Sequence, residues 1–135
     1  MAVTSWNQPE LTARVRQAAM RGLVRWIGDV EQRAAKLIMD PPKTGKVYQR
    51  RGVKHQASAP GEAPANDTGR LVNSRRIDLF ENELRARLTF STDYAWRLEH
   101  GDQSMEPRPY ARRALAESVE TGLGCVQAEV AAAMR

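Results

Sequence analysis

Apolar residues recur every three or four positions over two long stretches of the chain. The first stretch begins after Pro9, and the second begins after Pro109. This spacing places apolar side chains on one face of a helix, with charged side chains between them. The pattern therefore predicts an amphipathic helix over residues 8–40, before Pro41-Pro42, and a second over residues 107–134.

A different pattern lies between these helices. Apolar and polar residues alternate from Ile77 to Leu79 and again from Leu84 to Phe90, with polar residues between the two runs. Alternation with a period of two is typical of strands with one buried face. It predicts a β-hairpin over residues 76–91 that leaves Arg85 and Arg87 free on its outer face.

Residues 43–75 follow neither period, and Gly and Pro interrupt them repeatedly. They predict a long, mostly irregular loop, which we call the arm. Its first part holds cations and no acidic residue, so that its charge equals the net formal charge of +5 of the whole chain. An irregular segment of this length in a small domain is typically functional or becomes ordered on a partner. The cations are Lys43, Lys46, Arg50, Arg51 and Lys54.

A short helix is predicted over residues 93–100, with Asp93 as its cap and Gly101 at its end. The predicted order is then long helix, arm, hairpin, short helix and long helix. This order is typical of the α+β class. A chain of 135 residues can bury one modest core, so we expect a single domain over residues 1–135.

Composition narrows the class of protein. Hydrophobic residues make up 41% and charged residues 27% of the chain, as in globular domains. No apolar run approaches the ~20 residues of a membrane span, and no signal peptide is recognised. One cysteine excludes an intrachain disulfide, and we expect a reducing cytoplasm. The basic pI of about 9.9 indicates nucleic acid or an acidic protein surface as partner.

The sequence offers few candidates for catalysis. It has no phosphate-binding loop, dinucleotide fingerprint or nucleophile elbow, and we expect no enzyme and no cofactor. His55 could serve as a general base in a small nuclease, but an exposed loop histidine is the favoured interpretation. His100 ends the short helix and is expected to be structural. Cys125 is expected to be a small buried hydrophobic residue.

An acidic cluster follows the short helix. Glu99, Asp102 and Glu106 could hold a divalent cation through oxygen ligands. The favoured interpretation is a solvated loop or a salt bridge to Arg108, Arg112 or Arg113. No metal site is therefore predicted.

The cations of the arm allow two interpretations. Lys and Arg on an extended segment can bind nucleic acid phosphates without base contacts, although only Tyr48 is present there for stacking. The same charges can face an acidic neighbouring subunit and fix its register. The residues alone leave both interpretations open.

Four segments of the chain, taken in order, carry a resemblance. They are Thr44–Tyr48; His55–Pro64 followed by Asp67–Leu71; Tyr94-Ala95 with Leu98–Gly101; and Pro107–Tyr110 with Ala114-Leu115. Together they resemble the neck or tail-completion family of long-tailed bacteriophages, which are small proteins of the head-to-tail joint. The second segment is the most specific of the four, and the resemblance covers residues 44–115.

The resemblance implies a structural virion protein with no catalytic role. It would form an oligomeric ring at the head–tail junction, after assembly in the host cytoplasm. The ring would complete the tail or join the connector of the DNA-filled head to the tail. Implied partners are other copies of the chain, head-closure or connector proteins and tail-terminator or tail-tube proteins, with packaged double-stranded DNA nearby and no membrane. The alternative hypothesis is a sequence-independent nucleic-acid-binding protein.

The residues expected to contact a subunit or another partner lie in the arm, on the hairpin or at the entry to the last helix. Tyr110 is expected first to pack near the hairpin and second to form a contact. The set is Lys46, Tyr48, Arg50, Arg51, Lys54, Ser58, Pro60, Gly61, Glu62, Asp67, Thr68, Gly69, Arg85, Arg87, Arg108 and Tyr110.

Overall fold

A computed structural model of the chain describes residues 8–40, 43, 45, 47–59, 62–64 and 69–135, with the backbone alone at residues 48, 50, 53 and 55. These residues form four helices, four strands and one 3₁₀ turn, and they confirm the α+β class. The elements are α1 (Gln8–Met39), β1 (Val47–Arg50), β2 (Val53–Gln56), α2 (Arg70–Asn73), β3 (Arg75–Phe80), the turn Glu81–Glu83, β4 (Arg85–Phe90), α3 (Ala95–His100) and α4 (Ala111–Ala133).

Helices α1 and α4 pack against each other in antiparallel directions. Near the start of α1, Arg14 Nη2 donates a hydrogen bond to the carbonyl oxygen of Ala133 at the end of α4, 2.7 Å away. Near the end of α1, Ala34 packs with Ala114 from the first turn of α4. The periodicity of apolar residues therefore predicted both helices, within one residue at either end of α1.

Two glycines bring the helices unusually close. A Cβ atom added at Gly22 would lie 2.5 Å from Val126 Cα, and one added at Gly122 would lie 2.1 Å from Trp26 Cδ2. The indole of Trp26 lies across Gly122 and donates a hydrogen bond from Nε1 to Ser118 Oγ at 2.9 Å. Both glycines lower helix propensity, and this contact between the helices is the reason that α1 and α4 contain them.

Strands β3 and β4 form the predicted antiparallel hairpin, which we call the core hairpin. Ile77 pairs with Leu88, and Leu88 and Phe90 pack on α1 near Val30 and Ala34. Arg75 Nε donates to Glu31 Oε1 at 2.8 Å and ties the hairpin to α1. Leu84 was expected in a strand, but it has a φ of +48° and lies in the turn.

The arm is not an irregular loop throughout, and that prediction is wrong over residues 47–56. Strands β1 and β2 form a second antiparallel pair, the basic hairpin (Val47–Gln56), in which Gln49 pairs with Lys54. Its two-residue turn is Arg51-Gly52, with φ values of +51° and +79°. Such turns match the twist of a hairpin, and their glycine is the signal that predicts one. The arm also contains the single turn of α2.

The starts of the last two helices differ from the predictions. Helix α3 begins at Ala95 with Tyr94 as its cap residue and no side-chain cap, so that Asp93 does not cap it. Gly101 ends α3 with the expected positive φ of 73°. Helix α4 begins at Ala111 and not at residue 107, because the residue before Pro109 is disfavoured in the helical conformation.

The buried residues form two clusters along α1. One lies between α1, α4 and the core hairpin, and the other lies at the end of α1. None of the helices within the described ranges is long and apolar enough to span a membrane.

The glycines of α4 provide a matched pair of substitutions. We expect Gly122→Ala to lower the free energy of unfolding by about 1–3 kcal/mol, since the new methyl group meets the ring of Trp26. Gly124→Ala should raise it by up to about 1 kcal/mol, because no atom lies within 4 Å of that Cβ position. Urea denaturation of both variants checks this. Equal effects of the two substitutions would contradict the close helix contact.

Candidate partner-binding site

The second buried cluster lies where α1 ends, α3 passes and α4 begins, and we call it the junction. Ile38, Ala63, Leu71, Ala95 and Tyr110 meet there, each less than one-tenth exposed. The Tyr110 ring packs edge-on against Phe90 of the core hairpin, with 4.9 Å between centroids. Packing near that hairpin is confirmed for Tyr110. Because Tyr110 is only 2% exposed, the structure gives it a core position and not a partner contact.

Glu99 of α3 caps the start of α4. Its carboxylate accepts hydrogen bonds from the backbone N–H groups of Tyr110 (2.9 Å), Ala111 (3.0 Å) and Arg112 (2.9 Å). The guanidinium of Arg112 donates a further bond from Nε at 2.9 Å. The first N–H groups of a helix have no hydrogen-bond partner within the helix. The positive end of the helix dipole lies at the same place and favours an anion there. Glu99 of α3 therefore supplies the hydrogen-bond acceptor that a capping residue next to the start of α4 would otherwise supply.

The environment of Glu99 sets its ionisation. Glu99 is 6% exposed, and this burial by itself raises the pKa of its carboxyl group. The N–H donors of Tyr110, Arg112 and Ala111 and the Arg112 side chain oppose burial and outweigh it, so that the pKa lies below its usual value. Burial and the negative charge of Glu99 also raise the pKa of Tyr110, which stays protonated and donates from its hydroxyl to the carbonyl of Ala95 at 3.1 Å.

The acidic cluster is not arranged as a cation site. Glu99 is occupied in the cap and forms the predicted salt bridge with Arg112. Asp102 binds Arg97 Nε at 2.7 Å and Ser104 N at 2.8 Å, and its bonds to Ser104 and Arg97 lower the pKa of Asp102 to about 2. In the described part of the chain, no group of three His, Cys, Asp or Glu side chains is placed to hold a metal ion.

Contacts within the arm close the base of the basic hairpin. Gly45 N donates to the carbonyl of Ala57 at 2.8 Å, and a Cβ at Gly45 would lie 2.5 Å from the Ser58 carbonyl oxygen. Ser58 is 3% exposed, so its predicted role as a partner contact is replaced by a role in this base. Glu62 Oε2 accepts from Ala59 N at 2.9 Å.

Lys43 ties the same base to α1. Its Nζ donates to the carbonyl oxygen of Leu37, 2.6 Å away, in the last turn of the helix. Burial lowers the pKa of Lys43, with a further lowering from Arg113 and opposing effects of Glu62 and Asp40. Since Lys43 is held in this way, it does not share the exposure of the cations on the hairpin itself.

An open cleft of about 670 Å³ lies between this base, α1 and α4. Arg33 and Arg113 line it, and so do Asp29 and Glu117. Arg33 pairs with Asp29 at 2.9 Å, and Arg113 pairs with Glu117 at 3.0 Å. Because its opposite charges neutralise each other, the cleft does not favour a ligand of one sign.

The basic hairpin extends from this base with Arg51 and Lys54 exposed. The strand register places Val47, Gln49, Lys54 and Gln56 on one face, and all four are exposed. The side chains of Arg51, in the turn, and Lys54 form no ion pair with any residue that the structure describes. The fold thus presents a cationic, two-stranded projection on a buried and hydrogen-bonded support.

Arg85 and Arg87 are exposed but not free, which corrects the prediction for the outer face of the core hairpin. Both guanidinium groups lie over the ring of Phe80, at 4.3 and 5.1 Å from its centroid. Arg85 pairs with Glu83 at 3.1 Å, and Arg87 pairs with Asp78 at 3.3 Å. Two neighbouring carboxylates thus reduce the positive charge that this face offers to a partner.

The remaining predicted residues have varied positions. Gly69 precedes α2 with a φ of +78°, and Arg108 is half-buried in the entry to α4. His100 packs against Trp96, with 4.7 Å between ring centroids. Cys125 was expected to be buried, but it is only half-buried. His55 lies in β2 and not in a loop. Lys46, Pro60, Gly61, Asp67 and Thr68 lie outside the described residues, as do the side chains of Tyr48, Arg50 and His55.

Comparison of the chain with protein-family models, curated proteins and solved structures gives no match. The resemblance to neck proteins thus depends on its four segments. The residue that sequence reasoning missed is Glu99 as a remote cap. Its signal was indirect, namely a helix entry at Pro107–Tyr110 that contains no Ser, Thr, Asp or Asn to cap α4 locally.

Glu99→Gln should destabilise the fold in a pH-dependent way. We expect a loss of about 2 kcal/mol at pH 7, because the bonds to a charged acceptor are replaced by bonds to a neutral amide. The folded pKa of Glu99 is depressed, so its contribution is present above the usual value of 4.5 and is lost as the pH falls through the folded pKa. Denaturation from pH 7 to pH 3 should show a smaller loss of stability in the variant.

The exposed carboxylate of Asp102 provides the control. Asp102→Asn removes an ionisable group with a depressed pKa from the same loop, and it leaves the cap of α4 intact. We expect it to cost less stability at pH 7 than Glu99→Gln. Parallel pH profiles of the wild-type chain and Glu99→Gln would show that Glu99 is not the ionised cap.

Proposed function

We propose that this chain is a structural protein of the phage neck, a ring subunit that completes the tail or joins the connector of the DNA-filled head to the tail. The observation that supports this role most directly is the basic hairpin on its fixed support. A projection whose cations Arg51 and Lys54 form no ion pair with a described residue is suited to contact with another molecule.

The segments that carry the resemblance also share a place in the fold. Gly45 from the first segment lies at the base of the basic hairpin. Ala63, Ala95 and Tyr110, from the three others, meet in the junction. The motifs therefore have a common structural purpose, which is to support the hairpin and fix the start of α4. This agreement favours the proposal, because unrelated loop motifs have no reason to converge.

Charge on the hairpin favours recognition of an acidic surface. Complementary charges steer association and select the register of two surfaces more than they increase affinity. In a closed ring each subunit uses one surface to contact a different surface of the next subunit. The hairpin supplies one such surface, and its partner is another copy of the chain or a neighbouring connector or tail protein at the head–tail junction.

Sequence-independent binding of nucleic acid is the second candidate function. It is favoured by the same exposed cations, since Arg51 and Lys54 have no acidic partner among the described residues. Binding of this kind depends steeply on salt concentration, because neutralised phosphates release counterions. Titration of a duplex DNA of arbitrary sequence with the purified chain, at several salt concentrations, therefore separates the two candidates.

Reversal of the hairpin charges should impair assembly. We expect Arg51→Glu combined with Lys54→Glu to yield full heads and separate tails when it is supplied in trans to a phage whose own copy of the gene is disrupted. The reason is that the reversed charges repel an acidic partner surface. Electron microscopy and particle counts measure the result, and a lysate that receives the wild-type gene gives the reference.

The control variant is Arg14→Glu combined with Arg135→Glu, which makes the same change in net charge at the other end of the helix pair. It should support normal joining. Normal joining by the hairpin variant would refute the role of the hairpin. Intact, infectious particles in the lysate without the gene would refute the joining function itself, and tight salt-dependent DNA binding would then favour the second candidate.

A further inference from the structure

Helix α4 has an apolar face that no described part of the chain covers. Leu115, Val119 and Leu123 follow one another at intervals of four, so they lie in one row along the helix. They are 49%, 39% and 48% exposed, while Ala114, Ser118 and Gly122 contact α1 from the neighbouring row. We call this row of three large aliphatic side chains the α4 ridge.

A second row beside the ridge has an unusual composition. It consists of Ala116, Glu120 and Gly124, each one residue after a member of the ridge. Glu120 is exposed and forms no ion pair with a described residue. Two small residues therefore flank an unpaired carboxylate.

Packing among the described residues does not explain the glycine at position 124. A glycine inside a helix costs about 1 kcal/mol relative to alanine. At Gly122 this cost has a cause, since Trp26 occupies the space of a side chain, but no atom of the described residues lies within 4 Å of the Cβ position of Gly124. A glycine on an open face permits the close approach of another backbone. The small residues of this row thus leave room for the backbone of a strand beside the ridge.

The exposed face of the basic hairpin is complementary to this surface. Val47, which is 56% exposed, provides an apolar contact, and Lys54 provides an unpaired cation. We propose that the basic hairpin of a second copy lies on α4, with Val47 against the α4 ridge and Lys54 paired with Glu120. This inference rests on the proposed function, because it names the two surfaces that join neighbouring subunits of the ring.

The contact uses two different surfaces of the same chain. The chain's own hairpin leaves the ridge exposed, so a pair of copies retains one free hairpin and one free α4 surface after the first contact. Such head-to-tail contacts produce a ring when the rotation between copies closes. Three half-exposed side chains and one ion pair offer much less than the about 800 Å² per partner of a standard stable interface. The purified chain is therefore expected to associate weakly.

Exchange of the two charges tests the contact directly. Lys54→Glu places two carboxylates in the contact, and Glu120→Lys places two ammonium groups there, so each variant alone should associate about tenfold more weakly than the wild-type chain. In an equimolar mixture, each hairpin meets an α4 of opposite charge on every copy of the other variant. Unlike copies should therefore associate with the wild-type constant, and sedimentation velocity over a range of protein concentrations should show stronger association in the mixture than in either variant alone.

A disulfide crosslink keeps the test decisive if association is weak. With Cys125→Ala as background, Lys54→Cys and Glu120→Cys in one chain should give covalent oligomers under mild oxidation. The matched control is Lys54→Cys with Glu81→Cys, which uses an exposed carboxylate at the turn of the core hairpin. That control should give few oligomers, and thermal denaturation verifies that all variants are folded.

Restored association in the mixture and selective crosslinking would support the contact. Equal crosslinking of both cysteine pairs, or a mixture as weak as its components, would overturn it. The joining function is measured separately by the particle counts. Loss of joining in the absence of the gene, together with a failed charge exchange, would retain the proposed function and reject only these two surfaces.

Discussion

The cap that Glu99 places on α4 is the interaction on which the functional part of the molecule depends. Three backbone N–H groups and one guanidinium converge on this carboxylate. Removing a charge from water is costly, and only this set of donors makes the burial of Glu99 favourable. Since Glu99 lies on α3 and the donors lie on α4, the bond fixes the direction in which α4 leaves the junction.

Packing against α1 also fixes the direction of α4, along the length of the helix. The indole of Trp26 lies across Gly122, and Gly22 admits the backbone of Val126, so a glycine on each long helix makes room for the other helix. A helix that is held at its start and along one row has little freedom to rotate. The row beside it, the α4 ridge, is consequently presented in a constant orientation.

The sequence predicted the long helices and the core hairpin, because their periods of 3.6 and 2 are local properties. It did not predict the basic hairpin, since Gly and cations obscured the short strands around Arg51-Gly52. The salt bridge of Glu99 to Arg112 was predicted, but its role as a cap was missed for another reason. A carboxylate in a loop-rich acidic segment resembles a solvated group or a metal ligand, and only the tertiary fold brings it to N–H groups eleven to thirteen residues away. The requirement for glycine at position 122 likewise comes from the packing of Trp26, which is remote in sequence.

The buried row and the exposed row of α4 contain different kinds of residues. The buried residues of α4 are the small residues Ala114, Ser118 and Gly122, whereas Leu115, Val119 and Leu123 are 39–49% exposed. A helix selected only for the stability of a monomer would bury its leucines. The exposed halves of Leu115 and Leu123 therefore add no burial free energy to the fold. They would add it only when another surface removes them from water. This division is what a subunit requires if it is to remain dispersed alone and to gain stability with each neighbour in a closed assembly.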